Sequence, residues 1–185
     1  RLAQLACERV RAEGREATFV AMRLPYHVQR DEGDAQRALA FIAPDETLTV
    51  NVGPASDAMW EAVLEADSSH ASDESYTEFV KGNVKARQRM IAQSAVAGAR
   101  KLLVIGTDQA AEAAVGFYAK FGDGAADLVP LAGLPKRRVR DLARHLGTPA
   151  DLVEKGPTAD LETDKPLRAD EEALGVAYAD VDTYL

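Results

Sequence analysis

Cysteine is nearly absent from these 185 residues: Cys7 stands alone, so no disulfide can close within the chain. Long apolar runs are missing too, none approaching the roughly 20 residues that a membrane-crossing helix needs. No charged-then-apolar leader pattern occurs, and a reducing cytoplasm is the expected address. Basic residues are outnumbered, 22 Lys and Arg against 30 Asp and Glu, for a formal net charge of -8. That sign argues against general binding to nucleic acid or anionic membrane, because phosphate backbones are held by an excess of cations. A small polyanion in a local cationic pocket stays compatible with it. What is present suffices for a core: 46% hydrophobic residues in a chain of this length predict one compact domain over 1–185.

Apolar residues at helical spacing (Leu2, Leu5, Ala6, Val10) predict a helix over 1–13, stopped by Gly14. "ATFVAMRLP" at 17–25 has the length and composition of a strand, "DAQRALAFIA" at 34–43 returns to helical spacing, and "TLTVNV" at 47–52 is β-branched. A helix near 54–66, the Ser/Asp/Glu-rich loop "ADSSHASDES", expected to be mobile, and a long helix over 77–99 follow. "KLLVIGT" at 101–107 predicts a third strand, 109–120 a helix, "ADLVPLAG" a fourth strand, and "PKRRVRDLARHLG" at 135–147 a helix entered through Pro and left through Gly. Strands alternating with helices, and apolar in runs, predict an α/β fold: an open parallel sheet with helices on both faces. Ligands in such sheets bind beyond the carboxyl ends of the strands. Arg23 to Gln29, Asn51, Thr107 to Glu112 and the 120s are therefore the places to search.

The stretch after the third strand is the richest in chemistry. Thr107 and Asp108 fall at an expected helix start, where N–H groups and the dipole favour an anion such as phosphate, or where the two simply cap the helix. Asp108, Glu112, Gly116 and Lys120 recur every four residues and would share one helix edge. Acidic groups on that edge suit Mg²⁺, which takes one or two carboxylates and completes its shell with water and phosphate oxygens; a solvated charged edge is the plain alternative. In "FGDGAAD", glycines flanking Asp123 suit a turn, or a close approach by a ligand. Lys136 and its basic neighbours could balance phosphate charge or form a solvated face. His145 reads as a surface or capping residue, and "GPTADLE" at 156–162 as a helix cap or a phosphate lid.

Together, "GTDQAAEAAVGFYAKFGDGAADLVPLAGLPKRRVRDLARHLG", the preceding "MRLPYHVQRDEGDAQRALAFI" and the following "KGPTADLE" and "DEEALGVAYADVDTYL" resemble the small, ammonia-dependent NAD synthetases of bacteria. The resemblance runs through essentially the whole chain. It implies an adenine nucleotide alpha-hydrolase-like fold in the ATP-pyrophosphatase group, a homodimer, and conversion of deamido-NAD to NAD by adenylation of the nicotinate carboxylate and displacement of AMP by ammonia. ATP is then the co-substrate and Mg²⁺ the cofactor.

Residue by residue, the resemblance places Arg23, Gln29, Thr107, Lys136 and Thr158 on ATP, and Glu112 on magnesium. Arg87, Lys120 and Asp127 fall on deamido-NAD, and Asp123 close enough to hold or deprotonate incoming ammonium as the catalytic residue. Phe79, Met90 and Ile91 either face a partner subunit or belong to the core. The family's "SGGxDS" loop and its C-terminal His-Lys-Arg segment do not occur in these residues; the expectation is that a first strand with that loop precedes residue 1. The alternatives are another adenylating enzyme of the same group or a degenerate nucleotide-binding paralogue.

Overall fold

In the computed structural model, residues 1–69, 74–159, 161 and 167–185 are described. The chain runs α1 (Leu2–Ala12), β1 (Val20–Arg23), α2 (Glu32–Ile42), β2 (Glu46–Thr49), α3 (Gly53–Ala66) and α4 (Glu74–Arg100). It continues through α5 (Ala110–Val115), α6 (Lys136–His145), α7 (Ala150–Val153), α8 (Asp170–Leu174) and α9 (Tyr178–Tyr184). Strands β1 and β2 pair in parallel, with Val20 opposite Glu46 and Arg23 opposite Thr49. Parallel neighbours need a crossover, and α2 supplies it. The ladder continues past both strands, as Val50 N–H donates to Arg23 C=O and Val52 N–H to Pro25 C=O, each at 2.9 Å. The loop after β1 thus leaves the sheet already tied to the loop after β2.

Local chemistry sets the joints. Gln4, buried on α1, donates to the carbonyl of Ala43 at 2.9 Å, the residue that ends α2 in a left-handed conformation with φ 51°. Asp45 accepts the Phe19 N–H at 2.7 Å and the Arg11 guanidinium at 2.8 Å, so one carboxylate joins α1 to the start of the sheet. Arg100, the last residue of α4, meets both oxygens of Glu46 at 2.9 and 2.8 Å, the bidentate geometry that favours arginine. A core cluster joins α5 to the carboxyl-terminal helices: Ala111, Tyr178 and Val181, with Val115, Leu174 and Val176 packed around them.

Two expected strands contract. The 101–107 and 126–133 stretches meet only in a parallel bridge between Ile105 and Leu128, made by Leu128 N–H to Val104 C=O at 3.2 Å and Gly106 N–H to Leu128 C=O at 2.8 Å. Pro130, with no N–H to give, ends the ladder on one side. On the other side, residues 102–107 and 19–25 face each other across a cavity of about 950 Å³, walled by Phe41 of α2, Val96 of α4 and Leu142 of α6. The helix expected over 109–120 is shorter too, since Gly116 turns left-handed at φ 71° and closes α5 after Val115. Asp108, Glu112, Gly116 and Lys120 therefore do not share one helix edge. Helix α4 starts at Glu74 instead of residue 77, and part of the loop expected to be mobile, residues 70–73, lies outside the described residues.

Candidate functional site

The cavity collects four of the expected ATP residues: Arg23 and Gln29 from the end of β1 and its loop, Thr107 from the end of the 102–107 segment, and Thr158 from the stretch after α7. Arg23 is held by an ion pair with Glu32, at the first turn of α2, and reaches Thr49 Oγ1 at 3.4 Å. Gln29 donates to Asp31. That bond, followed by the Lys155 ammonium at 2.6 Å, keeps the Asp31 carboxyl below its ordinary range. Lys155 also lies 2.7 Å from Asp34; burial works against its charge, but the two carboxylates outweigh burial and raise its pKa. This cation lines the same cavity and was not expected from sequence. Its partners are more than a hundred residues away, and no local spacing could have pointed to them.

Lys136 does not line that cavity. It opens α6, with its ammonium 3.2 Å from Glu112 Oε1 and 4.3 Å above the ring of Tyr178. Its N–H donates to Asp182 Oδ1 at 2.8 Å, and that of Arg137 to Asp182 Oδ2 at 2.6 Å. Pro135 at the N-cap has no side-chain acceptor, so a carboxylate from α9 caps α6 from a distance. Glu112 has a second task, closing a capping box with Gln109 at the start of α5. The cap of α5 is Gln109, not Thr107 or Asp108 as expected.

The acidic residues crowd together. Burial, then the charges of Asp123 and Glu112, push the Asp108 carboxyl above its ordinary value. Asp123 accepts the Ala119 N–H at 3.0 Å. The second glycine of "FGDG" serves this cluster: a Cβ at Gly124 would lie 2.5 Å from Asp108 Oδ2, so the close approach there is by a side chain of the chain itself. Lys120 is exposed, its ammonium 5.1 Å from the Phe121 ring, and its carbonyl accepts the Arg87 guanidinium at 3.0 Å. Asp127 turns back to accept the Val104 N–H at 2.7 Å, which fixes the 102–106 segment. Among the described residues no three His, Cys, Asp or Glu side chains are close enough to cage a metal. Magnesium needs only one or two carboxylates, and the mutual repulsion felt at Asp108 is what a divalent cation would relieve. The residues present fit such an ion.

A parallel β-α-β unit whose loops converge with a second parallel segment on one largely apolar cavity, with Arg23 and Lys155 in its wall, defines an open α/β architecture of the kind that binds ligands beyond its strand ends. The chain belongs to the NAD synthase family, which it matches over residues 2–185. It is 63% identical over all 185 residues to an NH(3)-dependent NAD(+) synthetase of Streptomyces coelicolor, covering 67% of that protein. It is 62% identical to one of Burkholderia pseudomallei, covering 65%. The crystal structure of NAD+ synthetase from Burkholderia pseudomallei superposes with a TM-score of 0.83 at 57% identity, over 100% of this chain and 66% of that one. NMN synthetase from Francisella tularensis does so with a TM-score of 0.75 at 32% identity, over 98% and 71%. The fold is therefore that of the adenine nucleotide alpha-hydrolase-like NAD synthetases. The chain spans about two thirds of the length of these relatives.

Proposed function

We propose that the protein, in its full-length form, is an amide-forming ligase that makes NAD from deamido-NAD, ATP and ammonia. The observation that carries this reading is 63% identity to an NH(3)-dependent NAD(+) synthetase over every residue of the chain. The cavity at the carboxyl ends of β1 and the 102–106 segment supports it. A carboxylate resists attack because its charge repels a nucleophile and oxide does not leave. In the first step a nicotinate carboxylate oxygen attacks the α-phosphorus of ATP and pyrophosphate departs. Ammonia then adds to the acyl carbon of the adenylate, AMP leaves with the C–O bonding pair, and the nitrogen loses a proton to give the amide.

Arg23, Gln29, Thr107 and Thr158 orient ATP from the cavity wall, and Lys136 balances phosphate charge from the start of α6. Glu112 would hold magnesium, which when bound would supply positive charge against the phosphate oxygens. Arg87, Lys120 and Asp127 receive deamido-NAD. Asp123, beside a carboxyl already kept protonated more readily, attracts ammonium and accepts its proton. Two copies pair through α4, where Phe79 and Ile91 are exposed and Met90 half-buried. A further parallel strand carrying the "SGGxDS" loop would fill the apolar part of the cavity between β1 and residues 102–105, walled by Phe41, Val96 and Leu142, and leave to ATP the end beside Arg23, Gln29, Thr107 and Thr158.

The test is an assay with ATP, Mg²⁺, deamido-NAD and either ammonium or glutamine, using ammonia-free stocks. NAD, AMP and pyrophosphate should form in equal amounts with ammonium alone. Equal turnover with glutamine would refute the nitrogen source, and failure to form NAD from deamido-NAD would refute the substrate.

A further inference from the structure

The loop after β1 is held from behind by one carboxylate that no expectation singled out. Asp57, on α3, sends both oxygens to this loop: Oδ1 accepts the Tyr26 hydroxyl at 2.5 Å and Oδ2 lies 2.7 Å from His27 Nε2. The two rings stand edge to face with centroids 4.6 Å apart. His27 has φ 54°, a left-handed conformation that costs a non-glycine residue energy and persists only where the surroundings impose it. Those surroundings are visible. Asn51 Oδ1 accepts the His27 N–H at 3.1 Å and the Gly53 N–H at 2.9 Å. Gly53 leaves the imidazole its place, since a Cβ there would lie 2.5 Å from His27 Cε1. The Lys85 ammonium sits 4.2 Å over the Tyr26 ring, and Arg89 donates to the Leu24 carbonyl at 3.0 Å. On the opposite side, Arg23, Leu24, Pro25 and Gln29 line the large cavity.

We propose that Asp57 is a positioning residue: through Tyr26 and His27 it fixes the 24–29 loop, and with it the placement of Arg23 and Gln29 against the nucleotide. The inference rests on the reading of the cavity as the ATP site. Both Asp57 oxygens go to Tyr26 and His27, neither of which lines the cavity, so its work is done on the loop. Small misplacements of binding groups cost disproportionately in affinity, which gives a carboxylate on a neighbouring helix leverage over ATP without contact.

Asp57→Ala, Asp57→Asn and Tyr26→Phe in the full-length protein test it, with steady-state kinetics and amide hydrogen exchange on the same preparations. Asp57→Ala should raise KM for ATP about tenfold while kcat changes less than about twofold and KM for deamido-NAD stays put. Asp57→Asn should restore most of the loss, because its carboxamide oxygen still accepts the Tyr26 hydroxyl. Exchange at the Tyr26, His27 and Val28 amides should quicken about tenfold in Asp57→Ala. Tyr26→Phe removes the same bond from the other end and should shift KM for ATP in the same direction, which covers an Ala variant that fails to fold. An unchanged KM for ATP, or a fall in kcat with both KM values fixed, overturns the proposal. If the wild type does not consume ATP, the reading of the cavity fails, and exchange alone decides the fate of Asp57: unaltered loop amides refute its hold on the loop, and quickened ones establish it.

Discussion

Removing the remote cap of α6 should cost more than removing an ordinary one. Asp182 is 4% exposed, and its two oxygens accept the N–H groups of Lys136 and Arg137 at 2.8 and 2.6 Å. Neutral hydrogen bonds contribute about 1 kcal/mol net and bonds to a charged group about 1.5–3 kcal/mol, while loss of a side-chain cap costs about 0.5–2 kcal/mol. Water can reach part of the half-buried N–H pair once the carboxylate is gone, so we expect Asp182→Ala to lose about 2–4 kcal/mol. For a domain of this size that is a fall in Tm of roughly 5–15 °C. Asp182→Asn keeps one acceptor and loses the charge, and should fall about halfway. Urea unfolding is the assay: the midpoint should drop at constant slope, because the surface exposed on unfolding hardly changes. A local oxygen should compensate, so Pro135→Ser in the Asp182→Ala background should regain about 1 kcal/mol. An Asp182→Ala protein within about 0.5 kcal/mol of wild type would refute the idea that α9 caps α6.

Gly53→Ala brings a methyl within 2.5 Å of His27 Cε1 and should lower stability by about 1–3 kcal/mol in the same unfolding assay, as small-to-large changes in tight sites do. Glu112→Gln keeps the capping box but gives up the charge facing the part-buried Lys136, and should lower stability by about 1–3 kcal/mol without unfolding the protein, while NAD formation over a Mg²⁺ titration falls by at least about tenfold; unchanged turnover would leave Glu112 a cap and an ion-pair partner and nothing more. The Asp45 carboxyl is held below its ordinary 3.8 by the Phe19 N–H and by Arg11. A depressed folded pKa gives stability that is present above the unfolded value and lost as pH falls through the folded one. The melting difference between wild type and Asp45→Asn should therefore be constant from neutral pH to about 5 and close below about 4; a difference that persists at lower pH would sink the assignment.

Helices α1, α2, α3 and α6 were legible because apolar spacing and terminal Gly or Pro report on the chain locally. The 101–107 and 126–133 stretches pair in parallel as expected but over a single bridge: apolar composition marks burial, while the length of strand pairing depends on which backbone lies alongside, and Pro130 limits that. The acidic edge from Asp108 to Lys120 failed on one dihedral, the left-handed turn at Gly116, which a Gly in a run of good helix formers does not announce. Arg23, Gln29, Thr107, Lys136 and Thr158 were grouped only by the family resemblance; the structure brings four of them to one cavity and leaves Lys136 outside it. Asp57, Lys155 and Asp182 carried no local signal, since the partners of each lie tens of residues or more away.

Helix α4, with 27 residues, is a rod of about 40 Å, and two of its arginines grip two different loops by their carbonyls: Arg87 holds Lys120 and Arg89 holds Leu24. Two positions along a helix are about 200° apart around its axis, so the grips point to nearly opposite sides of the rod. The segment bearing Gln29 and the segment bearing Asp123 are thus hung from one rod, each by a single guanidinium and on opposite flanks, so the spacing between them is set by the width of α4.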